Sequence, residues 1–303
     1  MRIATAFYHQ QSIQSISERS EAMARLQEQL ATGKRINRAS DDPVGAAEAE
    51  RLRAAGARIE IEQRMMAHAS GMLSLADGSL AAASDALQGA RELLIGAGNS
   101  TLQAADRASI ATQLQGLRDE LLAIGNQRDG SGGYVFAAQG STTPPFTTGG
   151  APAFQPAAGT RQTGLDVSFD TTVDGGAVFI GDGSSAPGGS VFGSLDAIIA
   201  QLNDPAVDPA ALGAGLQNAM AAVDTTLDRV LQARTSVGEQ LRALESRGRL
   251  LESGELSVAA RASDITATDY AAAVSDMQTN QLAIEAAMRT YAQISRLSLF
   301  NYL

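Results

Sequence analysis

The side chains best suited to chemistry in this sequence are two neighbouring aspartates, Asp41 and Asp42, which precede Pro43. A pair of carboxylates can serve as general acid and base or can bind a metal ion. No histidine or nucleophile accompanies this pair, and aspartates before a proline are also what the start of a helix requires. We therefore interpret Asp42 as the cap of a helix with Pro43 in its first position, and we predict no catalytic residue.

Three other motifs resemble ligand sites but lack the required spacing. Lys34 follows a glycine as in a phosphate loop, but the glycine needed five residues before that pair is replaced by Glu28. The glycine-rich run at 129–133 lacks the preceding strand and following helix of a dinucleotide site, so a hairpin turn is the better interpretation. Asp174 and Asp182 lack the spaced oxygen ligands of a calcium loop and indicate turns. We expect no cofactor and no metal.

The composition of the 303 residues excludes further classes of protein. The chain has no cysteine and only two histidines, His9 and His68, so disulfides, zinc–thiolate sites and thiol nucleophiles are ruled out. Its 33 acidic residues outnumber the 23 lysines and arginines, which argues against nucleic acid as a partner. No apolar run is long enough to span a membrane, and the N-terminus lacks the apolar core of a cleaved signal peptide. We expect the protein either to stay inside the cell or to leave by a route that needs no such signal.

Heptad repeats predict three helices that bury one another. Every seventh residue from Leu52 to Leu94 is a large apolar residue, beside a row of alanines that only Glu62 interrupts. This pattern predicts one helix from Pro43 to about Ala97, roughly 80 Å long. A similar repeat runs from 216 to 251, interrupted by Arg234 and Gly248, and a shorter one covers 106–124. We predict an elongated antiparallel coiled-coil bundle.

The two ends of the chain carry weaker helical repeats. The first repeat includes polar residues at seam positions, which lower the stability of a coiled coil. Its members are Gln10, Ile13, Ile16, Ser20, Met23, Gln27 and Leu30, and those of the last repeat are Tyr270, Val274, Met277, Gln281, Ile284, Met288, Tyr291 and Ser295. We expect the two ends to pair marginally with each other, and to become firmly ordered only when further copies or partners cover them.

The centre of the chain differs from both helical parts. Five of the eight prolines and several paired glycines fall between 140 and 193, where helices are therefore not expected. The short apolar runs 165–169 and 177–180 predict strands of a small inserted β domain. The predicted fold is mainly α, with domains at 1–42 plus 264–303, at 43–140 plus 193–263, and at 141–192.

The most specific motif lies between the first two helices, at residues 30–45. Gly33 is expected to end the first helix in the left-handed conformation. The run Thr32-Gly33, Arg35-Ile36-Asn37 and Asp41-Asp42-Pro43 resembles the N-terminal signature of the flagellin family. Its basic residues, Lys34, Arg35 and Arg38, form either a solvated patch or contacts to acidic groups of a neighbouring subunit.

Four further runs are similar to the hook-associated junction branch of the flagellin family. They are the opening Met1-Arg2-Ile3 with Thr5, the third helix at 106–122, the run 129–137 with Pro145-Phe146 beyond it, and the close Leu-Ser-Leu-Phe-Asn-Tyr-Leu at 297–303. Filament flagellins tend to carry a Phe-Asn-Gly run after the third helix, and this chain has none.

The resemblance implies a structural component of the bacterial flagellum that joins hook to filament as a ring of subunits and catalyses nothing. It implies self-assembly, contacts to the hook-side junction protein (hook-associated protein 1) and to the flagellin filament, an export chaperone, and an extracellular position reached through type III export without a cleaved signal. The expected assembly residues are Ile13, Ile16, Met23, Leu30, Lys34, Arg35, Asn37, Asp41, Asp42, Met277, Ile284, Met288, Tyr291, Leu299 and Phe300. The alternatives are a filament flagellin and, from another class, an enzyme housed in 141–192.

Overall fold

The computed structural model describes residues 2–130, 132–137, 143–147, 161–162, 168–169, 172–181 and 190–300. Helices dominate these residues, so the prediction of a mainly α fold is confirmed. The α-helices are α1 (Arg2–Thr32), α2 (Pro43–Ala97), α3 (Ala104–Gly125), α4 (Val191–Asn203), α5 (Pro209–Thr266) and α6 (Tyr270–Phe300). A π-helical turn spans Gly176–Ile180, and two short strands are β1 (Arg161–Gln162) and β2 (Ser168–Phe169).

The chain divides into two compact units, of which the first is assembled from the two ends of the sequence and the second is one continuous stretch. Unit 1 combines residues 1–59 with 252–303, and unit 2 comprises residues 60–251. The predicted division into three domains stays a prediction.

In unit 2, α2 and α5 run antiparallel, as three ion pairs between them show. The pairs are Arg247–Glu62 at 2.8 Å, Arg234–Asp77 at 2.9 Å and Arg91–Asp224 at 2.7 Å, so residue numbers rise along α2 as they fall along α5. Glu62 and Arg234 are the two charged residues that interrupt the heptad rows, and each finds its countercharge on the opposite helix. Along the same two helices, Leu73, Leu80, Leu87 and Leu94 of α2 are fully buried, together with Val223 and Val230 of α5.

An ion pair also ties α3 to α4. The guanidinium of Arg118 donates through Nε and Nη2 to the two carboxylate oxygens of Asp196, at 3.0 and 3.1 Å. A third donation reaches Asp119 at 3.1 Å. Burial of the Arg118 side chain acts to lower its pKa, but the two carboxylates outweigh burial and hold the pKa above the ordinary value.

Four phenylalanines form an aromatic cluster in unit 2, and this cluster explains one wrong prediction. The ring of Phe179 lies 5.5 Å from that of Phe136, 5.7 Å from Phe146 and 6.0 Å from Phe192. Residues 177–180 were predicted to be a strand, but they belong to the π-helical turn. Neighbouring side chains of a strand point to opposite faces, whereas the adjacent Val178 and Phe179 are both buried.

The β structure among the described residues is small. β1 and β2 pair antiparallel, with Arg161 opposite Phe169 and Gln162 opposite Ser168. The second half of the predicted strand 165–169 is therefore β2, while 165–167 lie outside the described residues. The inserted β domain at 141–192 stays a prediction, as does the coiled-coil character of the bundle.

Candidate assembly site

The end of α1 follows the stop signal in its sequence. Gly33 has a φ of +69°, in the left-handed region that residues with a side chain rarely adopt. Its N–H donates to the carbonyl of Gln29 at 2.8 Å, which closes the last turn of the helix. The predicted helix end is confirmed.

The connection from α1 to α2 is organised by its two aspartates. The carboxylate of Asp41 accepts the backbone N–H groups of Asn37 at 3.1 Å and of Arg38 at 2.8 Å. Asp42 accepts the N–H of Gly45 at 2.9 Å, which makes it the cap of α2, as predicted. Both carboxylates therefore accept hydrogen bonds from backbone N–H groups. This is the structural role expected of them and not the arrangement of a catalytic pair.

Backbone N–H groups and the Arg35 guanidinium stabilise the charged form of Asp42. The hydrogen bond from Gly45 is the largest contribution and lowers the pKa of Asp42 below its ordinary value. Arg35, whose guanidinium lies 3.3 Å from Asp42 Oδ2, lowers the pKa further. A side chain at Gly45 would force this carboxylate and the side chain of Ile36 to move.

The connection between α5 and α6 pairs with the connection after α1. The N–H of Arg35 donates to Thr266 O at 2.7 Å, and the N–H of Thr268 donates to Gly33 O at 3.0 Å, around an antiparallel bridge between Lys34 and Ala267. The guanidinium of Arg35 also donates to Ile265 O at 2.9 Å. Arg35 thus contacts both connections and the cap of α2. We call residues 33–42 with 265–269 the joint.

The joint brings the two terminal helices together. The C-terminal end of α1 meets the N-terminal end of α6 there, and the two helices pack against each other, so they are antiparallel. Asp269 caps α6 by accepting the N–H groups of Ala271 and Ala272 at 3.0 and 3.1 Å. The prediction that the chain ends pair with each other is confirmed.

The predicted assembly residues of α1 and α6 divide between two environments. On α1, Ile16, Met23 and Leu30 are half-buried, whereas Ile13 is 51% exposed. On α6, Met277, Ile284 and Tyr291 are half-buried, whereas Met288 is 53% exposed. The side chains of Leu299 and Phe300 lie outside the described residues. One apolar face of α6 therefore packs inside the chain, while Met288, like Tyr270 and Val274, is open to solvent.

The two arginines of the joint have acidic partners within the chain. Arg38 lies 3.4 Å from Glu28 of α1, and Arg35 is paired with Asp42. Asn37 donates its side-chain amide to Lys34 O at 3.1 Å, which shapes the connection. Contacts of this patch to a neighbouring subunit stay a prediction.

Sequence reasoning missed the second half of the joint. Ile265, Thr266 and Thr268 hold the joint through their backbone, whereas the sequence pattern predicts only a domain boundary near 264. The available signal was the run Ile-Thr-Ala-Thr-Asp, because β-branched residues followed by an aspartate favour an extended segment ahead of a capped helix.

The described part of the chain has neither a membrane-spanning helix nor a cluster of metal-binding side chains. None of its helices is long and apolar enough to cross a membrane. In the same residues, no three His, Asp or Glu side chains gather as a metal ion would require.

Comparison with known proteins identifies the family. The model of the bacterial flagellin N-terminal helical region matches residues 3–141, and that of the C-terminal helical region matches residues 220–303. The chain belongs to the bacterial flagellin family. The resemblance expected from the joint and the two chain ends is thereby confirmed.

Relatives within the flagellin family extend over almost the whole chain. Flagellar hook-associated protein 3 of Escherichia coli K12 is 32% identical over 319 residues, which cover 99% of each chain. Flagellin of Bacillus subtilis 168 is 27% identical over 289 residues, covering 94% of this chain and 93% of the relative. A solved structure titled as a putative flagellar hook-associated protein from Vibrio parahaemolyticus shares the fold, with a TM-score of 0.68, 23% identity and coverage of 75% of this chain and 100% of that one.

Proposed function

We propose that this chain forms the junction between the flagellar hook and the flagellar filament. The predicted role as a structural component of the flagellum is confirmed by the named relatives, which are structural flagellar proteins. The observation that carries the finer proposal is the match to hook-associated protein 3, which spans 99% of both chains at higher identity than the match to flagellin.

The assembled form proposed is a short ring of subunits. The paired terminal helices are the part best suited to the innermost layer, because they form a narrow antiparallel pair with apolar side chains still exposed. The ring contacts hook-associated protein 1 on the hook side and flagellin on the other. The chain travels to this position through the flagellar type III route with an export chaperone and without a cleaved signal.

Immunogold labelling of isolated flagella, with an antibody against this chain, tests the proposal. We expect gold particles at the point where hook and filament meet, and we expect deletion of the gene to release filaments from otherwise complete hooks. The match to Bacillus subtilis flagellin supports one alternative, a filament subunit. Labelling along the whole filament would establish that alternative and overturn the junction proposal.

A further inference from the structure

At one level of the α2–α5 pair in unit 2, large apolar side chains project into solvent on one face. Ile61 is 47% exposed, Met65 is 37% exposed, and Leu250 of α5 is 64% exposed. The ion pair between Glu62 and Arg247 places these parts of the two helices side by side. We call Ile61, Met65 and Leu250 the knob face.

The knob face continues a surface that is covered elsewhere in unit 2. Met65 belongs to a heptad row with Met72, Ser79 and Ala86. Met72 and Ala86 are buried, and Ser79 donates its hydroxyl to the side chain of Gln127, just after α3. Residues seven apart lie on nearly the same side of a helix, so Met65 is the member of the row that the chain itself leaves uncovered.

The opposite face of the same helix pair has a groove. Its volume is about 260 Å³, and six of the eight residues around it are small or apolar, the other two being Gln63 and Glu245. The lining residues are Gln63, Met66, Ala67, Ser70, Leu241, Leu244, Glu245 and Gly248. We call this the groove face.

Helix geometry places the two faces back to back. Each residue turns an α-helix by about 100°, so residues two apart point about 200° away from each other. Met65 and Ala67 are separated by two residues on α2, and Leu250 and Gly248 are separated by two residues on α5. At the same height, one side of the pair therefore presents projecting apolar side chains and the other presents an apolar groove.

We propose that the knob face of one copy of this chain docks into the groove face of the next copy. Complementary surfaces on opposite sides of one subunit give head-to-tail contacts, which close into a ring or continue as a helix. A second copy is the occupant of the groove face because every copy carries a knob face and a groove face at the same height. Docking would also remove the three apolar side chains of the knob face from water. The inference rests on the proposed ring and names the surfaces through which its subunits meet.

Thiol cross-linking tests the contact directly, because the chain has no cysteine of its own. Met65→Cys and Ala67→Cys are made in separate full-length chains, co-expressed in a strain that lacks the native gene, and isolated flagella are treated with a short bismaleimide. We expect a covalent dimer when the two variants are mixed and no dimer with either variant alone. Dimers of Met65→Cys alone would mean that two knob faces meet, which would overturn the proposal.

The same preparation separates this inference from the proposed function. Immunogold labelling reports whether the chain is at the junction, independently of the cross-link. If gold labels the junction but the mixture gives no dimer, the proposed function stands and the docking of the knob face into the groove face is refuted. The same result is expected if another protein covers the knob face.

A groove-filling variant gives a second test with a matched control. A side chain added at Gly248 meets no atom within 4 Å, and the same holds for Gly238 on the same helix outside the groove. We expect Gly248→Leu to fold but to lose the dimer in the Met65→Cys and Ala67→Cys mixture, and Gly238→Leu to keep it. An undiminished dimer in correctly folded Gly248→Leu would refute the proposal.

Discussion

At the scale of single residues, the joint depends on a few groups whose roles follow from their backbone. Gly33 ends α1 because its φ of +69° suits a residue without a side chain. Asp42 begins α2 because its carboxylate meets an N–H that the helix leaves unpaired. Arg35 holds Asp42 and the carbonyl of Ile265 at once. Gly33 and Asp42 could be predicted from the sequence because the end and the start of a helix have local signatures, whereas the contacts of Arg35 could not.

Replacement of Gly33 by alanine should destabilise unit 1 by about 1 to 2 kcal/mol, because an L-residue is disfavoured in the left-handed region. The new methyl group would also lie 2.8 Å from the hydroxyl of Tyr270. Gly56→Ala is the control, since Gly56 is in the interior of α2 and the nearest atom to its added carbon is 3.9 Å away. That change should stabilise the protein by about 0.5 to 1 kcal/mol. Urea unfolding measures both, and equal effects would contradict the assigned role of Gly33.

The lowered pKa of Asp42 predicts how stability depends on pH. A carboxyl group whose pKa is lower in the folded state stabilises the fold above its unfolded pKa, near 3.8, and this contribution is lost as the pH falls through the folded pKa. Wild type should therefore melt at a higher temperature than Asp42→Asn at neutral pH, and this difference should shrink below pH 3.8. Thermal unfolding followed by circular dichroism gives the difference. A difference that grew on acidification would show that the fold does not stabilise the charged form of Asp42.

At the scale of elements, long heptad rows were predictable and irregular segments were not. The bounds of α2 agree with the sequence pattern because Pro43 and its cap mark one end, and the apolar row runs to the other. Residues 177–180 have the composition of a strand, and only the aromatic cluster around Phe179 makes a π-helical turn the better solution. The backbone pairing of 33–35 with 266–268 could not be predicted either, because a local signal for an extended segment near 267 does not say which distant residues it pairs with.

Loss of the ion pair between α3 and α4 should destabilise unit 2. Arg118→Leu leaves Asp196 without the charged donor that holds both of its oxygens, and we expect a cost of about 2 kcal/mol. Asp119→Asn removes only the more exposed partner and should cost less than about 1 kcal/mol. Chemical denaturation measures the free energy of unfolding of both variants, and we expect Arg118→Leu to lose more of it than Asp119→Asn. The opposite result would mean that Asp119 is the main partner of Arg118.

The terminal helices should open more readily than the helices of unit 2. Apart from Ala273, the residues of α1 and α6 whose burial is described are half-buried or exposed, whereas α2 has a fully buried leucine at every seventh position from 73 to 94. Few buried apolar contacts mean a low free energy of local opening. Hydrogen exchange on dilute monomer should show faster exchange in α1 and α6 than in residues 73–94 of α2. Equal protection would contradict the expectation that the ends are only marginally paired.

At the scale of the whole molecule, the buried apolar core of unit 2 contrasts with the apolar side chains that α6 leaves available for contacts with other subunits. In unit 2 the leucine row of α2 from Leu73 to Leu94 and the four phenylalanines of the aromatic cluster are buried, while Tyr270, Val274 and Met288 stay exposed on α6. The family and its helical fold could be predicted from the chain ends and the joint. Which copy covers which face could not, because contacts between subunits need not follow from the pattern within one chain.

Substitution of Met288 should separate folding from assembly. Met288→Asp places a charge on an exposed apolar position, so we expect the monomer to keep its helix content and thermal stability, but motility in soft agar to be lost. Gln278→Asp adds the same charge at an exposed polar position of the same helix and should leave motility close to wild type. Normal swimming of Met288→Asp would show that this side of α6 is not part of an interface.

The bonds of the joint also set the order in which the molecule can be completed. Arg35 and Ile265 are 230 residues apart, and every bond that closes the terminal pair has a comparable separation. During synthesis at about 5 to 20 residues per second, α1 leaves the ribosome roughly 10 to 50 s before its partner exists. The first helix to be made is therefore among the last to find its place.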